Sequence, residues 1–131
     1  MTSKEDRETL LRLYEIYDSH RDSLIWFLDR LDARTYEQYQ TRYSSNSHGK
    51  IHFTTVCGFF ELSGVLVKSR MIDENIYFEV FNPNPFWEKA ESIVIEMRRD
   101  RPHMYENFEL LNNKRIKWTK KRGQISHKRY V

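Results

Sequence analysis

One cysteine, Cys57, occurs in the 131 residues, so no disulfide can form within the chain and the fold must rest on its core. That single thiol sets the expectation of a reducing, cytoplasmic setting. Glycine and proline are scarce, at four and three residues. An all-β fold would need repeated turn residues, so the scarcity favours long helices. No glycine-rich phosphate loop and no dinucleotide fingerprint is present. Residues 4–8 are charged rather than apolar, and no run approaches the roughly 18 apolar residues of a spanning helix, so a soluble chain is expected. Acidic residues stop at Glu109: residues 110–131 hold eight basic side chains and none of opposite sign, whereas the preceding residues hold 19 acidic against 14 basic. An acidic body thus carries a basic C-terminal arm.

What the chain has in quantity is aromatic rings, 15% of all residues, which must fill much of the interior. The densest apolar stretch runs over residues 54–68. At about 100° per residue, Phe53, Val56, Cys57, Phe60 and Val67 share one face and Phe59, Leu62, Val65 and Leu66 cover most of the other, which predicts a central helix needing neighbours on nearly all sides. Its polar line is Thr54, Glu61 and Lys68. Gly58 and Gly64 each cost a helix about 1 kcal/mol against alanine, which suggests close approach of a neighbouring backbone at both. Helical spacing recurs at Leu10, Leu13, Tyr14 and Tyr17, then at Leu24 to Leu31, then in the Tyr36, Tyr39, Tyr43 series. Asp73 is a candidate cap for a short helix, Asn84 followed by Pro85 for a longer one, and a last helix starts near His103. The expected fold is all-α: a single-domain bundle of about six helices around a central helix 51–69. Residues 1–112 form the bundle and 113–131 a basic C-terminal helix extension and tail.

The pieces Phe59, Phe60, Glu61, Gly64, Leu66 and Val67, then Met71, Ile72, Asp73, Phe81 and Trp87, then Arg98, Tyr105, Phe108, Glu109 and Leu111 stand in an order that resembles the helical family called domain of unknown function 4760. The resemblance spans about residues 56–111. It implies an all-helical fold and no established activity.

Five polar residues sit inside apolar patterns: Glu61, Arg98, Arg101, Tyr105 and Glu109. One reading is a carboxylate and guanidinium pocket for a small ligand or enzymatic chemistry. The other is structural, with Glu61 paired to Arg98 or Lys68 and Glu109 to Arg101 or Arg98. His48 and His52 are four apart, but Gly49 between them suggests that His48 is still in a loop, so no metal site is assigned. Cys57 in an apolar setting is inert. No cofactor is assigned, and the chain is read as no enzyme. In the arm, Lys114, Arg115, Lys117, Trp118, Lys120, Lys121, Arg122, Lys128 and Arg129 form a candidate nucleic-acid surface, with cations for phosphates and Trp118 for stacking on a base; the competing reading is a solvated tail in which Trp118 continues the buried positions Phe108 and Leu111. The preferred function is a non-catalytic protein-interaction or regulatory module. It would dock a protein partner or a second copy through an exposed aromatic patch around Tyr36, Tyr39 and Tyr43. The alternatives are nucleic-acid binding through the arm and a ligand-binding or enzymatic pocket around Glu61, Arg98 and Glu109.

Overall fold

A computed structural model describes residues 3–130, with side chains through Gly123; Thr2, which like Ser3 is of a type that caps helices, lies outside the described residues. The elements are α1 (Lys4–Ser19), α2 (Arg21–Asp29), α3 (Tyr36–Arg42), α4 (His48–Lys68), α5 (Glu74–Val80), α6 (Asn84–Met97) and α7 (Glu106–Tyr130). No strand occurs among the described residues. The described residues form seven helices rather than about six.

Local chemistry places their ends. Ser3 and Asp6 cap α1 reciprocally, Thr35 caps α3 through the Gln38 N–H, and Asp73 caps α5 through the Ile76 N–H. Helix α4 begins three residues before the expected start. Ser47 accepts the Lys50 N–H, which draws His48 and Gly49 into the first turn. Gly49 is buried there, and a Cβ would fall 2.6 Å from Tyr43 Cε1, so the packing of Tyr43 requires a residue without a side chain. Asn84 is the first residue of α6 rather than its cap. Its backbone N–H donates to Asn82 Oδ1, and its side chain donates to Asn112 of α7.

Helix α4 forms the spine, and its interface with α7 is the most extensive in the molecule. Rings fill the core. Phe60 stacks on Phe108 at 5.2 Å and meets Phe86 at 4.9 Å, Phe27 stacks on Phe53 at 5.4 Å, and Trp87 meets Phe108 edge-on at 5.0 Å. The two helix glycines separate. At Gly64 a Cβ would lie 2.6 Å from the Asn107 carbonyl carbon, so α7 crosses α4 there at backbone contact; at Gly58 a Cβ would meet nothing within 4 Å. The expected neighbours on nearly all sides of α4 are also not all there: Ile51, Leu62 and Val65 are exposed on its open face, beside Gly58. Helix α4 does have the length and composition of a membrane-crossing helix, contrary to the expectation that no stretch would. Here it runs through the core, with Phe53, Cys57 and Phe60 fully buried.

Candidate functional site

The five polar residues picked out in the apolar patterns divide into two groups on either side of the α6–α7 connection. In the first, Glu61 reaches the start of α7. Its Oε1 accepts the N–H groups of Asn107 and Phe108, both at 3.0 Å, and its Oε2 accepts Asn107 Nδ2 at 2.8 Å. The first amides of a helix have no partner within it and carry the positive end of its dipole, so this carboxylate serves as a remote cap. Glu61 therefore pairs with backbone and not with Arg98 or Lys68. Arg98, just past the end of α6, donates through Nε to the Met104 carbonyl at 2.9 Å and through Nη1 to Glu109 at 2.6 Å, one of the pairings expected. Its Nη2 is buried without a partner in the protein. The seam of Glu61, Arg98 and Glu109 is thus taken up in holding α4, α6 and α7 together.

Arg101 and Tyr105 turn the other way. They line a cavity of about 290 Å³ with Tyr36, Tyr39, Tyr43 and Lys50, while Met97 and Met104 contribute apolar wall. The tyrosine trio is not the exposed patch expected. Tyr39 is only 3% exposed and packs on Phe53 at 4.6 Å, and Tyr36 and Tyr43 are half-buried. The Tyr39 hydroxyl is buried with no hydrogen-bond partner among the described residues. Burial raises the pKa of Tyr39 and of Tyr105, and the nearby Arg101 charge opposes the rise at both, so the phenols stay protonated at neutral pH and act as donors. The Tyr43 hydroxyl accepts the Asp32 N–H at 3.0 Å and keeps its own proton to donate. No carboxylate lines the cavity, and neither Lys50 nor Arg101 is in an ion pair among the described residues. Glu96 accepts the Tyr36 N–H at 3.4 Å and is not among the lining residues. Tyr105 holds φ +54°, in the left-handed region that a bulky side chain rarely adopts. Lys50 and the two methionines carried no signal in the sequence, because the fold brings them together from α4, α6 and the α6–α7 connection.

The basic arm continues α7, and its first half packs back onto α5. Arg115 Nη1 donates to the carbonyls of Phe78 and Phe81, at 2.6 and 3.2 Å, which satisfies acceptors at the end of α5. Trp118 donates to Asn75 at 3.0 Å and lies under two guanidiniums, Arg115 at 4.7 Å and Arg122 at 4.6 Å from its ring centre. Arg122 pairs with Glu79, and Lys114 with Glu74 at 3.8 Å. The ring offered for base stacking is occupied within the fold. Lys117, Lys120 and Lys121 are exposed and in no ion pair among the described residues; the side chains of Lys128 and Arg129 lie outside them.

His52 Nδ1 is 2.8 Å from Ser23 Oγ and its ring lies 5.4 Å from Trp26, whereas His48 is exposed. Among the described residues no three His, Cys, Asp or Glu side chains gather as a metal site would require. Cys57 is fully buried, and burial, with the Glu61 charge, pushes its thiol pKa well up.

Fold and site together define a helical domain with a polar seam tied into its packing and, beside it, an open cavity bordered by two cations. The chain belongs to the family described as Domain of unknown function (DUF4760), whose profile matches residues 5–118. No curated protein and no solved structure matches it.

Proposed function

We propose that this protein is a non-catalytic interaction module that docks an acidic segment of a partner protein on the face around Tyr36, Tyr43, Lys50 and Arg101. The observation that carries this reading is charge of one sign. Two cations without an ion pair among the described residues border a concavity that no carboxylate lines. Such a surface attracts acidic partners and rejects basic ones before contact is made. Affinity capture from extracts of the cells that make the protein, with wild type beside the double variant Lys50→Glu, Arg101→Glu, tests it. An acidic partner held by wild type and released by a variant of unchanged circular dichroism supports docking at this face. If both proteins hold the same set, docking there is excluded.

Nucleic-acid binding remains the second reading, favoured by the exposed Lys117, Lys120 and Lys121 on α7. It requires affinity for single- or double-stranded nucleic acid that falls steeply with salt and is lost when those three lysines become alanine. Salt-insensitive binding, or binding indifferent to the lysines, removes it.

A further inference from the structure

The lining of the cavity between α3, the start of α4 and the α6–α7 connection carries two cations and no carboxylate, its other polar groups being neutral, Gln40, Ser44, Ser45 and Thr54 among them. The Arg101 guanidinium and Lys50 ammonium have no acceptor to offer, and protonated phenols add donors. A buried hydroxyl without a partner is destabilising, yet Tyr39 keeps one at 3% exposure beside the cavity it lines. A phenylalanine would make the same contact with Phe53 at no such cost. Tyr105, which also lines the cavity, is held at φ +54°, and backbone strain of this kind collects at ligand sites. The volume, about 290 Å³, falls at the small end of the range for ligand pockets, which is room for one ring and its substituent rather than an extended ligand.

We infer that the cavity is a binding site for a small organic anion, a carboxylate or phosphate carried on a body no larger than one aromatic ring. Arg101 and Lys50 meet the charge, and the Tyr39 hydroxyl gains in the complex the hydrogen bond it lacks in the free protein. The methionine and tyrosine walls cover the apolar body. This rests on the same face as the docking proposed above. The anion is either a group that the partner inserts or a free small molecule.

The test is calorimetric titration of the full chain with benzoate and phenyl phosphate, with phenol and inorganic phosphate as controls, together with thermal unfolding of each protein. Wild type is expected to bind one or both organic anions more tightly than either control. Arg101→Gln should weaken that binding by about tenfold or more, the scale of a lost charge-assisted hydrogen bond. Tyr39→Phe carries the sharper signature: it should weaken binding while leaving the unliganded protein as stable as wild type or more so. The inference is overturned if neither anion binds better than the controls, if Arg101→Gln binds unchanged, or if Tyr39→Phe binds as wild type does. Should Tyr39→Phe fold poorly, Tyr43→Phe, which leaves the Asp32 N–H without its acceptor but removes no ring, is compared in its place, with the same loss of binding required. A bound anion that displaces a captured partner identifies the partner as its source, and one that binds without displacing it identifies a free ligand. A failed titration with capture still sensitive to Lys50 and Arg101 sinks this inference alone; anion binding with insensitive capture sinks only the docking.

Discussion

The seam of Glu61, Arg98 and Glu109 and the cavity of Tyr39, Tyr105 and Arg101 lie side by side in the fold and each holds an arginine, yet they differ in what is left over. In the seam both Glu61 oxygens accept, and Arg98 reaches a carbonyl and a carboxylate through two of its nitrogens, with its buried Nη2 left without a partner among the described residues. Across the connection a guanidinium and an ammonium have no ion pair among the described residues, and a buried hydroxyl has no partner. Polar groups occupied by one another hold helices together, whereas polar groups gathered without partners are available to a ligand. The contrast predicts that damage to the seam is read in stability and damage to the cavity in binding.

The largest effect is expected at the crossing that brings the seam together. Gly64→Ala would push a methyl group into the Asn107 carbonyl, part of the backbone that Glu61 caps, and neither helix can yield without moving the core. The loss should be about 3 kcal/mol or more, or failure to fold. A urea midpoint equal to wild type would show that the crossing is looser than described. Next in size, Glu61→Ala leaves two amides and the Asn107 side chain without their acceptor, for a loss of about 2–3 kcal/mol. If Glu61→Ala is as stable as wild type, the seam is not structural and the contrast collapses.

A third effect depends on pH. Burial raises the pKa of Tyr39, Tyr77 and Tyr105 above the ordinary phenol value of 10.0. Below that value both folded and unfolded states keep these protons, and stability is unaffected. Above it the unfolded chain releases them first, so stability falls as pH rises, by about 1.4 kcal/mol per pH unit for each phenol. Urea unfolding across the alkaline range should show this slope, and Tyr39→Phe should flatten it by one phenol's share. An unflattened slope would mean that Tyr39 is solvated, and with it the cavity's distinguishing feature would go.

Much of this was legible in the sequence, and the limits fall where long-range packing decides. Periodicity identifies α4 because its apolar positions are dense, and it marks Glu61 as out of place. It cannot reveal that the partner is the start of α7, because backbone amides carry no residue signature. The Tyr36, Tyr39, Tyr43 spacing is visible, but their burial depends on Phe53 meeting Tyr39 from another helix. Trp118 both continues the buried spacing of Phe108 and Leu111 and sits among the cations of the arm, and only Asn75 and Phe78 of α5, placed against it, decide between the two. The two glycines of α4 give one signal and two outcomes. Gly58 has open space around it, so Gly58→Ala should stabilise the protein by about 0.5–1 kcal/mol, opposite in sign to Gly64→Ala. A destabilised Gly58→Ala would place something against the open face of α4.

The smallest change in stability is expected at Arg101, and it sharpens the comparison most. Arg101 is exposed, makes no ion pair among the described residues and lines the cavity rather than the seam. With no ion pair to lose and an exposed side chain, Arg101→Gln should alter unfolding by less than about 0.5 kcal/mol. Glu61, three helical turns along α4 from Lys50, is as conspicuous in the sequence and costs several times more to remove. Chemical denaturation of Arg101→Gln measures the difference directly. A loss comparable to that of Glu61→Ala would make Arg101 part of the structural seam, and the cavity would then have no cation free to meet an anion.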